Sequence, residues 1–157
     1  HGDLAPARVL GAVLAAVAAL RGPLPDLLVP VPLHADRLHE RGFNQAAHLA
    51  QAAARWLGRP CATHLLERRR PTQPQTSLEA AARRRNVVGA FVMSAGAPRW
   101  LRRQAPAARH LTVVDDVLTT GATIEAAAAA LQGFETVSCW AVARPLSNSF
   151  TPDPPAT

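Results

Sequence analysis

Residues 111–123 read LTVVDDVLTTGAT, which joins an apolar segment to two acids and a threonine-glycine turn. The apolar, largely β-branched residues predict a buried strand over 110–116. The alanine-rich stretch that follows predicts a helix over 122–132, ending at Gly133. A strand that leads into a helix is the repeating unit of parallel α/β sheets, which bind ligands at the carboxyl ends of their strands. Asp115 and Asp116 are therefore expected at the ligand-binding edge of the sheet.

The turn after the two acids is predicted to bind an anion. Free backbone N–H groups at the start of a helix, the helix dipole and nearby hydroxyls together favour a phosphate. The residues of this predicted phosphate site are Thr119, Thr120, Gly121, Ala122 and Thr123. Carboxylates beside it suit sugar hydroxyls or a hard cation, so a ribose 5-phosphate fits. The alternative is structural: the acids end a strand, and the threonines begin an ordinary helix.

The rest of the chain predicts strands that alternate with helices. Residues 6–20 predict an amphipathic helix, with apolar residues at helical spacing at Val9, Leu10, Val13, Val17 and Leu20. Asn44 is the predicted cap of a helix over 45–57, and a short helix is predicted over 77–85. Strands are predicted over 26–34, 61–68, 89–95 and 137–145, with an irregular, arginine-rich connection over 96–106. The predicted fold class is α/β, a single-domain, doubly wound, mostly parallel sheet over 1–147 with a disordered tail over 148–157.

The composition excludes several functions. The 157 residues include no lysine, which excludes a P-loop and Schiff-base catalysis, and arginines give a formal net charge of +6. No apolar run is long enough to span a bilayer and no signal peptide is recognisable, so we expect a cytoplasmic protein without membrane contacts. Cys61 and Cys139 match no metal-ligand spacing, and we expect both to be reduced, buried and without a disulfide.

Residues 113–123 resemble the signature with which type I phosphoribosyltransferases bind phosphoribosyl diphosphate (PRPP). Residues 29–46 (VPVPLHADRLHERGFNQA) and 68–91 (RRRPTQPQTSLEAAARRRNVVGAF) resemble the ComF/GntX branch of these proteins, linked to natural competence and DNA uptake. The resemblance implies a type I phosphoribosyltransferase-like fold, PRPP as ligand and Mg²⁺ as cofactor. Family members often begin with a zinc module, and none precedes His1, so we expect a short or truncated form without zinc.

The resemblance also implies roles for individual residues. Asp115 and Asp116 would hold the ribose hydroxyls as the catalytic acids and bind Mg²⁺ directly or through water, while residues 119–123 bind the 5′-phosphate. A proline-rich loop would bind pyrophosphate through Pro32, Leu33, His34, Arg37 and Arg41. A flexible loop that closes over PRPP would contain Thr72, Gln75 and Arg83. Catalysis would be mainly electrostatic, and no nucleophile or general base is indicated.

Ten arginines and a single acid lie between residues 68 and 109. Arginines that contact phosphates and an aromatic ring that stacks on bases are typical of single-strand binding. The residues expected to do this are Arg84, Arg85, Trp100, Arg102 and Arg103. The alternative is a solvated basic face.

Two functions therefore stay open. The first is an enzyme that transfers phosphoribosyl to an unknown acceptor. The second is a catalytically inactive, PRPP-sensing module that binds single-stranded DNA during transformation. Further expected partners are a competence helicase or other DNA-processing proteins, and a second copy of the chain as a homodimer.

Overall fold

The computed structural model describes residues 5–70 and 87–143 of the protein. The helices and strands, in chain order, are α1 (Ala5–Arg21), β1 (Leu27–Pro30), α2 (Ala35–Arg41), α3 (Gln45–Leu57), β2 (Leu66–Arg68), β3 (Phe91–Met93), α4 (Ala97–Gln104), β4 (His110–Val117), α5 (Ala122–Ala129) and β5 (Thr136–Ala143). The predicted helix over 77–85, the domain boundary at 147 and the predicted tail over 148–157 lie outside the described residues. Within the described ranges, no helix combines the length and the apolarity needed to cross a membrane.

A three-stranded parallel sheet in the order β1-β4-β5 forms the centre of the fold, which confirms the mostly parallel α/β class. Beyond β1, Cys61 adds a single parallel bridge to Leu28. Strands β2 and β3 pair antiparallel in a separate two-stranded sheet. The strands predicted over 61–68 and 89–95 are therefore shorter than expected and lie outside the single sheet that the sequence predicts.

Helices cover both faces of the central sheet because strand side chains alternate between faces. Leu27, Val29 and Val113 belong to one core cluster together with Ile124 and other residues of the α5 side. Leu28 and Val114 belong to a second cluster, formed with residues of α1 and α3. This two-sided burial is the doubly wound arrangement that the sequence predicts.

Helix α1 forms where predicted, but the residues it buries are not the predicted apolar stripe. The exposed fractions of the stripe residues lie between 41% and 87%, for Val17, Leu10, Val13, Val9 and Leu20 in rising order. Gly11 and Ala15 are buried instead, and a Cβ atom at Gly11 would lie 2.6 Å from the Ala52 Cβ atom of α3. Helix α1 therefore packs through its small residues, because only a side chain of minimal size lets it approach the alanine-rich α3 this closely.

Two helices lie where the sequence predicts none. Residues 97–104 form α4 instead of an irregular connection, because Pro98 stands in the first turn, where its missing N–H leaves no bond unmade. Helix α2 is a short helix that ends at Arg41 and is capped by Gly42. The predicted cap of α3 is confirmed, since the Asn44 side chain accepts a hydrogen bond from the Ala47 N–H.

The two cysteines are free, as predicted, but the expected burial of both is wrong. Cys61 is half-buried and Cys139 is exposed. Cys139 lies on β5, which is an end strand of the sheet order β1-β4-β5 and contains no fully buried residue. Burial raises the pKa of the Cys61 thiol to about 12, so this side chain stays protonated and packs as an apolar group.

Candidate functional site

The two acids lie at the carboxyl end of β4, at the edge of the sheet where the sequence places them. Asp115 is in register with Ala141 of β5, and both acidic side chains are half-buried. The Asp115 Oδ1 atom accepts a 2.9 Å hydrogen bond from the Asp116 N–H, and the Asp116 Oδ1 atom accepts one of 2.9 Å from the Val117 N–H. Neither acid belongs to the packed core, and both lie at the edge where sheets of this class bind ligands.

The electrostatics of Asp115 are unusual for a carboxylate. Burial raises the pKa of Asp115 to about 7, with the repulsion of Asp116 as the second cause. The Asp116 N–H and the Arg68 guanidinium act in the opposite direction, but they do not compensate in full. A ligand that brings hydrogen-bond donors or a cation to this carboxylate would favour its ionised form.

The turn between β4 and α5 has the predicted form. Gly121 has a φ of 81°, in the left-handed region, and stands directly before the first residue of α5. This backbone conformation is the reason for a glycine, since a Cβ atom there would meet nothing closer than the Glu125 Oε1 atom at 3.5 Å. The Ala122 N–H is not free as predicted, because it donates a long, 3.4 Å hydrogen bond to the Thr120 hydroxyl. A bound phosphate would compete with this weak bond.

The loop after β1 is anchored beside the acids. The Val31 N–H donates to the Val114 carbonyl at 2.9 Å, and the Asn44 side-chain amide donates to the Val31 carbonyl at 3.0 Å. Pro32, Leu33 and His34 follow directly and are half-buried. The predicted pyrophosphate loop therefore begins next to the residue that precedes Asp115. The Asn44 anchor is a feature that the sequence analysis did not foresee.

Three residues of the predicted pyrophosphate group interact within or next to α2. The Asp36 N–H donates to the His34 Nδ1 atom at 3.4 Å, so His34 caps the helix. Arg37 forms an ion pair with Glu40 at 3.3 Å. Arg41 donates to the Gln45 side-chain oxygen at 2.9 Å. Both arginines are exposed, so they remain accessible to an anion beside the loop.

Arg68 is the last residue of β2 and the first residue of the segment 68–91 that resembles the ComF/GntX branch. Its guanidinium carbon lies 5.3 Å from the centre of the Phe91 ring. Burial lowers the pKa of Arg68, the attraction of Asp115 opposes this, and the repulsion of Arg37 adds to it. The pKa of Arg68 is therefore affected by charges on α2 and β4 as well as by its own burial. The alternation of side chains along a strand could have indicated that Arg68 is partly buried, because Arg68 lies on the same face of β2 as the buried Leu66.

A cleft of about 390 Å³ runs along α5 from its amino-terminal end. Phe91, whose ring lies against the Arg68 guanidinium, is among its lining residues. The whole lining consists of Val87, Val88, Gly89, Phe91, Ala122, Glu125, Ala126, Ala129 and Ala130. The cleft is thus largely apolar, with Glu125 as its charged member.

The other predicted site residues are only partly described. Trp100 is half-buried and packs against the core cluster on the α5 side, whereas Arg102 and Arg103 are exposed in the last turn of α4. The predictions for Thr72, Gln75, Arg83, Arg84 and Arg85 lie outside the described residues.

The acidic pair fits a magnesium ion by its chemistry. In the part of the chain that the structure describes, no three histidine, cysteine, aspartate or glutamate side chains are grouped to hold a metal ion. Mg²⁺ commonly takes only one or two carboxylates from a protein and completes its shell with substrate phosphates and water. Asp115 and Asp116 could supply those carboxylates when a phosphorylated ligand is bound.

Comparison with known proteins gives close relatives. The chain is 36% identical over 123 residues to competence protein F of Haemophilus influenzae, covering 77% of this chain and 51% of that protein. It is 39% identical over 127 residues to the DNA utilization protein YhgH of Salmonella typhi, covering 79% of this chain and 52% of the relative. YhgH of Escherichia coli K12 is 38% identical over 126 residues, covering 78% and 51%. The chain thus spans about half the length of the curated relatives it matches.

No protein-family model matches the chain. A crystal structure of TT1426 from Thermus thermophilus aligns with a TM-score of 0.47 and 17% identity, covering 90% of this chain and 84% of that one. The similarity to competence protein F and to the YhgH proteins places the chain in the ComF family over the aligned part.

Proposed function

We propose that this chain is a PRPP-binding protein of the ComF type that serves natural competence and DNA uptake. The observation that carries the proposal is one of geometry. The acids of β4, the turn before α5 and the loop after β1 all meet at one edge of the sheet, with Val31 bonded to Val114. The names of the relatives, competence protein F and DNA utilization protein, support the cellular role.

Each part of the site has a task in this proposal. Asp115 and Asp116 accept hydrogen bonds from the ribose hydroxyls, and the start of α5 receives the 5′-phosphate. The loop at residues 32–34, with Arg37 nearby, receives the diphosphate through backbone N–H groups and charge. Bound Mg²⁺ would supply charge neutralisation for the diphosphate.

Calorimetry with PRPP and Mg²⁺ tests this proposal. The wild type should bind, and the variant with Asp115→Asn and Asp116→Asn should show no measurable heat. A control with Glu67→Gln and Glu135→Gln removes the same two charges at exposed positions and should bind like the wild type. Absence of wild-type binding would overturn the proposal.

Binding and turnover can be separated by experiment. Diphosphate release from PRPP in the presence of an acceptor is the result expected of a transferase. Binding without release, across candidate acceptors, is the result expected of a PRPP-sensing module. The described residues point to no acceptor, since the cleft along α5 is lined mainly by alanine and valine.

Single-stranded DNA is a second candidate ligand, favoured by the arginines of α4. Arg99, Arg102 and Arg103 are all exposed on a helix of eight residues. Phosphate contacts by such arginines make affinity fall steeply with salt. Trp100 is a weaker stacking platform than the sequence suggests, because its ring packs partly on the core.

Fluorescence anisotropy with a labelled oligonucleotide tests this second function. Arg102→Gln with Arg103→Gln should weaken binding by roughly tenfold at low salt and reduce the salt dependence. Arg55→Gln with Arg59→Gln, at exposed positions around the end of α3, is the matched control and should change affinity little. Absence of wild-type binding at low salt would eliminate DNA as a direct ligand.

A further inference from the structure

We propose that two copies of this chain associate side by side, through the outward face of α1 and the outer edge of β5. The proposal goes beyond PRPP binding and does not depend on it. It rests on an exposed apolar helix face that adjoins an open strand edge, and on the size and the lack of charge of the surface that the two form together.

The outward face of α1 carries the large apolar side chains of that helix. The exposed fractions of these side chains lie between 41% and 87%, and the residues are Val9, Leu10, Val13, Val17 and Leu20. The line of Gly11 and Ala15 faces α3, since a Cβ atom at Gly11 would lie 2.6 Å from the Ala52 Cβ atom. At about 3.6 residues per turn, the apolar stripe lies roughly half a turn from that line and faces away from α3. The spacing of three, four and three residues from Leu10 to Leu20 is typical of a helix–helix seam.

Strand β5 has an open edge. Among the described residues, β5 pairs with β4 and with no other strand. The Thr136 N–H points towards β4, because it donates to the Arg109 carbonyl. Alternate residues therefore direct their backbone N–H and C=O groups outwards, and these residues are Val137, Cys139 and Ala141. The strand, TVSCWAVA, contains no charged residue and no proline, which are the residues that usually protect a strand edge from pairing.

The helix face and the strand edge lie on the same side of the molecule. Ala15 of α1 shares a core cluster with the half-buried Trp140 and Val142 of β5, which places α1 over that strand. Helix α3 contacts chiefly β1 and β4. The direction from α3 to α1 therefore runs outwards across the sheet, and the face of α1 opposite α3 lies towards the outer edge of β5.

A second copy fits this side of the molecule by charge and by symmetry. The chain has 17 arginines and a formal net charge of +6, so two copies repel each other where their arginines meet. The apolar stripe and β5 are uncharged, and Arg21 follows only at the end of the helix. A twofold axis here would pair β5 antiparallel with β5 of the second copy and bring the two apolar stripes together. Two copies can therefore meet on this side without opposing like charges.

The size of this surface meets the requirement of a specific dimer. The 17 residues of α1 and the eight residues of β5 each extend over about 25 Å. A helix layer and a strand layer of roughly 10 Å each give a footprint of about 500 Å² per copy. The total of about 1,000 Å² is the lower limit for a specific interface. We therefore expect a weak dimer that dissociates on dilution.

Sedimentation equilibrium in reducing buffer tests the proposal. The wild type should be mainly dimeric at about 100 µM and monomeric in the low-micromolar range. Val13→Glu with Val17→Glu should raise the Kd of the dimer by about tenfold or more, because charges enter an apolar seam. The matched control is Leu38→Glu with Val88→Glu, which adds the same charges at exposed apolar positions outside α1 and β5. This control should leave the Kd close to that of the wild type.

Crosslinking through the exposed Cys139 tests the pairing of the strands. Two β5 strands that overlap in full place Cys139 opposite Cys139 of the second copy, with the Cβ atoms about 5 Å apart. A short bismaleimide should therefore link two copies, and Cys139→Ser should abolish the link without changing the Kd of the dimer. Cys61 should not react, because burial raises the pKa of its thiol to about 12.

Three results would overturn the proposal. One is a wild type that stays monomeric up to about 1 mM, which is the outcome expected if a different protein segment covers this side. Another is a dimer whose Kd is unchanged in Val13→Glu with Val17→Glu. The third is a dimer that bismaleimide does not link through Cys139. If circular dichroism shows that the glutamate variant does not fold, crosslinking of the wild type carries the test. A monomer that binds PRPP would defeat this proposal and leave the proposed function intact.

Discussion

The carboxylates at the two ends of β4 are used in opposite ways. At the amino end, the Asp26 Oδ2 atom accepts hydrogen bonds of 3.0 Å from both the Arg109 and His110 N–H groups. These bonds, with that of His110 first, lower the pKa of Asp26. At the carboxyl end, burial raises the pKa of Asp115 to about 7. Asp26 therefore stabilises the fold through its charge, whereas the charge of Asp115 is unfavourable until something binds it, as is typical of functional sites.

Among the substitutions that test this difference between Asp26 and Asp115, we expect Asp115→Asn to have the largest effect. We expect the Kd for PRPP with Mg²⁺ to rise by about 100-fold, or about 2.7 kcal/mol, because a charged acceptor is lost. The same change should raise the free energy of unfolding at pH 8 by roughly 1–2 kcal/mol, since an unfavourable buried charge is removed. Calorimetry and urea denaturation measure the two quantities. A variant that loses both affinity and stability would contradict the functional interpretation of Asp115.

Asp26→Ala should give the opposite result. Two backbone N–H groups lose their acceptor, so we expect the free energy of unfolding to fall by about 1–2 kcal/mol. The affinity for PRPP should stay within about twofold of wild type, because Asp26 lies at the far end of the strand. Asp26→Asn keeps one acceptor oxygen and should lose less stability. A large loss of PRPP affinity in the folded variant would contradict the interpretation that Asp26 serves only the stability of the fold.

The pH dependence of stability should also differ in sign between the two ends. Asp115 has a raised pKa, so its contribution is greatest below its ordinary value of 3.8 and is lost as pH rises towards about 7. Asp26 has a lowered pKa, so its contribution is present above its ordinary value of 3.8 and is lost as pH falls through the lowered value. Denaturant titrations from acid to neutral pH measure both slopes. Asp115→Asn should remove the decline in the free energy of unfolding between about pH 4 and 7, and Asp26→Asn should alter the pH dependence only on the acid side.

The smallest effect is expected from Glu135→Gln, which removes the ion pair with Arg109 near the amino end of β4. The Arg109 and Glu135 side chains approach to 2.8 Å, but both are largely exposed. Exposed ion pairs contribute little, so the free energy of unfolding should change by less than about 0.5 kcal/mol. Thermal denaturation at low and high salt provides the measurement. A larger loss would show that Arg109 is held by its side chain and not mainly by the Asp26 bond to its backbone.

The parts of the fold that were predicted correctly depend on local signals. The strand around Val113, the helix after Gly121 and the Asn44 cap are each specified by residues within a few positions of one another. Pro98 misled the prediction because a proline ends a helix in its interior but suits its first turn. The buried face of α1 was also mistaken, since the large apolar residues of its predicted stripe are exposed. Packing against an alanine-rich partner selected Gly11 and Ala15 instead.

The sequence by itself determined that two acids and a glycine turn would stand at the carboxyl end of a buried strand. Strand, acids and turn are consecutive, so local conformation is enough to bring them together. Only the tertiary structure decided where Arg68 would lie, because β2 takes its position from pairing with β3, whose residues lie far along the chain. It also decided that Asn44 would anchor the loop after β1. Contacts of this kind form between residues that are far apart in the chain, so a local sequence pattern does not predict them.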